Sequence, residues 1–184
     1  MKKCLMAIIL ALTVVCLGGP LHATDITVGN ADWYEFGFLA LGVDAISGSG
    51  GQPSSGGNSE YAPDPPWTFT SALPVKLTVT DAFLEGDAFN IYDSGALVGS
   101  TSSVANTGTD SGTSDPVVAL TIPELSHGVF SLAAGSHSLT IRPYQFVMAG
   151  AAYFRTDAVP LPPTVLLLGS GLLGLAGWRR FRKG

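Results

Sequence analysis

Four carboxylates, Asp81, Glu85, Asp87 and Asp93, lie close together in one stretch of this chain. Closely spaced oxygen ligands suit a hard divalent cation, so these residues are candidate calcium ligands. The stretch lacks the Asp-x-Asp-x-Asp-Gly loop of a dedicated calcium hand. No other cofactor is suggested. Paired carboxylates also serve glycoside hydrolysis, where one group holds a proton and the other a charge. The same residues and Glu124 are available for that task, but none stands in a recognisable motif. Glu85-Gly86-Asp87 reads as a polar turn between two strands. Serine hydrolysis needs a base histidine and a nucleophile on a sharp turn. Beyond residue 23 the histidines are His127 and His137, and no Gly-x-Ser-x-Gly elbow occurs there. His137 shares parity with Leu139 and Ile141, which places it on the inward side of a strand start, bonded to a backbone carbonyl at the sheet rim. The expectation is therefore no catalytic residue and no enzyme.

Aromatic rings stack on sugars, and Trp33, Tyr34, Tyr61, Trp67, Tyr92, Tyr144 and Tyr153 supply them. Most read as packing. Trp67 follows Pro63-Asp64-Pro65-Pro66, a loop with little apolar content to cover it, so it is expected to be partly exposed. It is the one glycan-binding candidate.

The elements that would hold these residues are strands. Tyr34, Phe36, Phe38 and Ala40 alternate along one face, and Val75, Leu77 and Val79 alternate with Lys76, Thr78 and Thr80. Phe89 and Ile91 lead through Tyr92-Asp93-Ser94-Gly95-Ala96 into Leu97-Val98. Phe130 and Leu132 lead through Ala133-Ala134-Gly135-Ser136 into Leu139 and Ile141, which predicts a hairpin. Residues 151–155 read as a closing strand. No stretch keeps a helical period, although residues 123–127 could form one helical turn. Residues 47–66 and 106–116 are polar and Gly/Ser-rich, and are expected as long loops. The whole predicts a mainly β chain whose middle, residues 24–158, is an antiparallel β-sandwich, jelly-roll-like. Those 135 residues are enough for one domain with a real core.

Charge separates the middle from the ends. All 14 acidic residues lie between Asp25 and Asp157, with only Lys76, Arg142 and Arg155 as basic partners, a formal charge of −11. Such a surface repels nucleic acid, which is excluded as a partner, and keeps the domain soluble. The other basic residues sit at the two termini. Met1-Lys2-Lys3 precedes an apolar run from Cys4 to Leu17, a Gly18-Gly19-Pro20 break, and Leu21-His22-Ala23. This reads as a signal peptide over residues 1–23, a signal helix cut after Ala23, with the Sec machinery and signal peptidase as partners. A lipoprotein reading is disfavoured, because Val14-Val15 precede Cys16. Both cysteines, Cys4 and Cys16, fall in that leader, so the exported chain has neither disulfide nor thiol chemistry.

The other end holds Val159-Pro160-Leu161-Pro162-Pro163, then 15 uncharged residues over 164–178, then Arg179, Arg180, Arg182 and Lys183 in a basic tail over 179–184. A helix of that length reaches about 22 Å, short of a bilayer core of about 30 Å. Trp178 as an interfacial residue and snorkelling arginines extend it, which predicts a transmembrane helix with its basic end in the cytoplasm. This tail resembles the PEP-CTERM sorting signal of Gram-negative bacteria, in which a Val-Pro-Glu-Pro type motif, a Leu/Gly-rich helix and an arginine cluster follow one another. Leu166-Leu167-Leu168-Gly169-Ser170-Gly171-Leu172-Leu173-Gly174-Leu175 carries the likeness in the helix. Leu161 stands where the motif has its acidic residue, a Val-Pro-Leu-Pro variant. The resemblance implies that a membrane-embedded, exosortase-type enzyme cuts near the Pro-rich motif of residues 159–163, within a sorting signal over residues 159–184. The segment from Asp81 to Ala105 and the hairpin expected over Gly128 to Arg142 more loosely resemble β-sandwich ectodomains of proteins sorted in this way. The implied function is that of a non-enzymatic exported surface or extracellular-matrix protein, associated with exopolysaccharide or biofilm. It would pass through an inner-membrane intermediate to the cell envelope, outer surface or medium. The alternatives are a carbohydrate-binding module and, behind it, a secreted glycan-active enzyme.

Overall fold

Aromatic and β-branched residues at alternating positions build ten strands in the computed structural model, which describes residues 24–29, 32–48, 54–56 and 58–160. In chain order they are β1 (Thr24–Asp25), β2 (Trp33–Phe38), β3 (Ser59–Tyr61), β4 (Trp67–Ser71), β5 (Val75–Asp81), β6 (Ala88–Asp93), β7 (Ala96–Ser100), β8 (His127–Leu132), β9 (Gly135–Gln145) and β10 (Gly150–Ala158). One helical turn, α1 (Pro116–Ala119), lies between β7 and β8. The strands form two five-stranded sheets, ordered β1-β4-β9-β6-β7 and β3-β2-β10-β5-β8.

The sheets pack face to face. Tyr34, Phe36, Phe38, Val75, Leu77, Val79 and Phe154 from one sheet meet Trp67, Phe69, Phe89, Ile91, Leu139 and Ile141 from the other in one buried core. Phe36 sits at its centre, with its ring 5.5 Å from Phe89 edge-on and 5.7 Å from Trp67. These are separations at which tilted and edge-to-face aromatic pairs are favourable.

Several sequence expectations change. The segment from Phe130 to Ile141 is not a hairpin. β8 pairs with β5 in one sheet and β9 with β4 and β6 in the other, so residues 133–134 carry the chain across the core. Alternation is the same in a hairpin and in a crossover, so it could not distinguish them. The β6–β7 turn is a true hairpin, with Ser94 and Gly95 both at positive φ, as a tight two-residue turn demands. The sheets are not wholly antiparallel, because β1 runs parallel to β4 and β3 parallel to β2. β3 itself lies inside the expected loop of residues 47–66. The helical turn falls at Pro116–Ala119 rather than over residues 123–127, where Asp115 caps it by accepting from the Val117 N–H at 2.8 Å.

A third layer covers the second sheet. Residues 101–126 fold back over its outer face, where Trp33, Ala82, Ala119, Leu125 and Tyr153 form a smaller buried cluster. This is why Thr78 and Thr80, expected on a wet face, are buried. Among the described residues no helix is long and apolar enough to cross a membrane. The signal helix over residues 1–23, the transmembrane helix over 164–178 and the basic tail over 179–184 lie outside the described residues. So do Leu161, Pro162 and Pro163 of the Pro-rich motif.

Candidate functional site: the loop-bearing end of the sandwich

The long connections gather at one end of the sandwich. Residues 39–48 follow β2, residues 82–87 join β5 to β6, residues 101–126 join β7 to β8, and residues 146–149 join β9 to β10. The opposite end has short connections at 72–74, 94–95 and 133–134, and there β10 leaves at Ala158. The first of the long loops closes the edge between the sheets. Ile46 exchanges backbone hydrogen bonds with Gly37, while Gly42 and Ala45 donate to the Pro143 and Ile141 carbonyls. Arg142 fixes it further through an ion pair with Asp44.

A cavity of about 520 Å³ opens at this end, on the outer face of the β2/β10 pair. Gly37 and Ala151 are direct cross-strand partners on that face. One step down the same face sit Glu35 and Tyr153, also partners and both buried. The shift from large to small side chains makes the concavity. Its walls are Ile46, Ser47 and Gly48 on one side and Phe83 and Leu84 on the other, with Leu39 and Met148 at the rim. Glu35 and Asp87 are the two acidic residues of the lining. Glu35 Oε2 accepts from the Ser55 N–H at 2.8 Å and from the Tyr153 hydroxyl at 3.1 Å. Burial and the adjacent Glu35 charge both raise the Tyr153 phenol, so it remains a donor.

The four candidate calcium ligands do not converge. Asp87 precedes the first residue of β6 and Asp93 is its last, which separates them by about 20 Å of extended chain. Asp81 and Asp87 are neighbours, but backbone donors occupy them. Asp81 accepts from the Ala82 N–H at 2.9 Å and the Asp87 N–H at 3.2 Å, and Asp87 accepts from the Val147 N–H at 2.7 Å. Burial, with the Asp87 charge second, pushes the Asp81 carboxyl up to about 8. Burial also raises Asp87. Glu85 accepts from the Thr107 hydroxyl. Among the described residues no group of three or more His, Asp or Glu side chains is disposed to hold a metal ion.

Asp93 instead binds His137. Its Oδ2 lies 2.7 Å from Nδ1, while Nε2 lies 2.9 Å from the Ala133 carbonyl. Burial would raise Asp93, but hydrogen bonds from His137 and the Ser138 N–H, with the His137 charge, outweigh it and hold the carboxyl below the usual range. His127 stands half-buried with Nδ1 3.2 Å from the Leu125 carbonyl, and Glu124 is exposed.

Trp67 overturns its expectation of exposure. Its relative accessibility is 0 %, its ring packs on Phe154 and Phe36, and Nε1 donates to the Pro63 carbonyl at 2.8 Å. The proline loop reads as a solvent edge, yet it returns over the indole and accepts its one polar atom. A ring so enclosed presents no face to a sugar. Sequence reasoning missed Glu35, Gly37 and Ala151. The available signal was a lone carboxylate and a glycine inside the most aromatic strand, Trp-Tyr-Glu-Phe-Gly-Phe.

The class of molecule is thus a two-sheet β protein whose last strand passes straight into the C-terminal segment. Residues 158–183 match the family of the PEP-CTERM protein-sorting motif. That match implies an exported, envelope-directed protein processed by exosortase. No curated protein and no solved structure matches the chain.

Proposed function

We propose that this chain is a non-enzymatic surface or extracellular-matrix protein, exported through the Sec route and released from its tail by an exosortase-type enzyme. The observation that carries the reading is the sorting motif over residues 158–183, which begins where β10 ends at Ala158. In this reading signal peptidase cuts after Ala23. The processing enzyme reads Val159, Pro160, Leu161 and Pro162, and Arg179, Arg180, Arg182 and Lys183 hold the tail's end in the cytoplasm until it does so. Counted without the edge strands β1 and β3, the eight remaining strands order as 2-7-4-5 and 1-8-3-6. That interleaving supports a jelly-roll-like display module. The hydrogen-bond roles of Asp81, Asp87, Asp93 and His137 support a non-enzymatic module, because each serves the backbone or a neighbouring side chain. Association with exopolysaccharide would then use surfaces other than Trp67.

The test is the intact mass of the protein recovered from the outer envelope and the medium. The expected mass lacks residues up to about Ala23 and the tail from about Pro160. A mass that retains residues 161–184, with the protein in the inner membrane, overturns the sorting reading and leaves a permanently anchored domain.

A further inference from the structure

The loop-bearing end carries an apolar surface that the core does not use. Leu39, Met148 and Ile46 at the cavity are 61 %, 54 % and 40 % accessible, and Leu41 and Val43 continue the patch along the same loop. Beneath this rim the floor is held open by Gly37 and Ala151, and two acidic residues line the space. Neither Glu35 nor Asp87 has a cationic partner among the described residues. Lys76 and Arg155 approach Asp157, Arg142 holds Asp44, and His137 holds Asp93. A carboxylate in an apolar wall is stabilised strongly by an opposite charge brought to it, and little in the chain supplies one. Over residues 24–158 the formal charge of −11 draws cations toward the domain as a whole.

We propose that this cavity is a binding site for a small aromatic or apolar molecule bearing an ammonium or guanidinium group. The apolar body lies against Phe83, Leu84, Ile46 and Met148 over the Gly37–Ala151 floor, and the cation faces Glu35 and Asp87. A volume of about 520 Å³ is within the range of pockets that enclose drug-sized ligands. The raised Asp87 carboxyl agrees with a carboxylate that lacks its counter-charge. β10 runs nine residues from the cavity end to Ala158, so the mouth opens about 25 Å from the sorting segment.

The experiment is titration of the purified full-length chain in detergent with three probes of one shape: phenethylammonium, 2-phenylethanol and phenylacetate. Phenethylammonium is expected to bind at least about tenfold more tightly than the alcohol, and phenylacetate not at all. Ala151→Leu, which fills the floor, is expected to weaken phenethylammonium at least about tenfold while the melting temperature is kept. Asp87→Asn should remove the preference for the ammonium over the alcohol. Equal binding of ammonium and alcohol overturns the assignment of a cation. Absence of binding by either overturns the site. Undiminished binding by a folded Ala151→Leu variant places the ligand elsewhere. Should Asp87→Asn fail to fold, the probe series on the wild type still decides the charge preference and Ala151→Leu still decides the location.

Discussion

Asp81 ends β5 in one sheet and Asp93 ends β6 in the other, and their surroundings push them in opposite directions. Asp81 is enclosed at the end of β5 with only backbone N–H groups and a like charge nearby, and its carboxyl rises to about 8 from an ordinary 3.8. Between those values the folded protein holds a proton that the unfolded chain has released. The unfolded state then binds fewer protons, so stability falls as pH rises across that window. The loss is on the order of a few kcal/mol, since each tenfold change in proton affinity corresponds to about 1.4 kcal/mol. Asp81→Asn removes the titration, and its melting temperature should decline less than that of the wild type between pH 5 and pH 8.5. Equal slopes for the two proteins would show that Asp81 does not titrate in this window. Asp93 has the opposite sign. Its carboxyl is depressed in the folded state, so its contribution is present above the unfolded carboxylate range and disappears as pH falls through the folded value. Spacing made these residues look like one ligand set. Their environments make one a proton-holding group and the other a hydrogen-bond partner of His137.

At the level of elements, the segment over residues 101–126 has the most unexpected role. Residues 106–116 read as a polar loop, and the stretch that follows supplies Ala119 and Leu125 to a cluster with Trp33 and Tyr153, both fully buried. It converts the outer face of a two-layer sandwich into an interior. Leu125→Ala should therefore cost about 2–5 kcal/mol in chemical denaturation, the range of a core truncation rather than of a loop change. A loss below about 0.5 kcal/mol, typical of surface positions, would mean that the cover does not hold the sheet. The sequence showed β2, β5, β6 and the β6–β7 turn clearly, because each has an alternation and a turn signal within a few residues. The Phe130 to Ile141 segment misled because the same local signal serves a hairpin and a crossover. Which strand β9 joins is settled by β4 and β6, dozens of residues away.

For the whole molecule, the sandwich core is complete, among the described residues, before the matched C-terminal segment begins. Among the described residues the buried core ends with Phe154 and Thr156, and Val159 donates a backbone bond to Pro74 at 2.8 Å. A chain ending at Pro160 should unfold within about 0.5 kcal/mol of the longer form, since it keeps every residue of the two buried clusters. A larger loss in denaturant titration would show that residues 161–184 contribute to the fold. The separation suits a module that survives the processing implied by the match over residues 158–183.

The sequence by itself determined the mainly β character, the acidic middle between basic ends, and the sorting segment. Each is written in contiguous residues: alternation at Val75–Val79, a charge count, and a run from Val159 to Lys183. Only the tertiary structure decided that Trp67 is a core residue, that Asp93 serves His137, and that Gly37 and Ala151 open a cavity beside Glu35. The last two relations join positions 44 or more residues apart. Their physical cause is the pairing and stacking of sheets, which depends on how distant strands fit together and not on the pattern within any one of them.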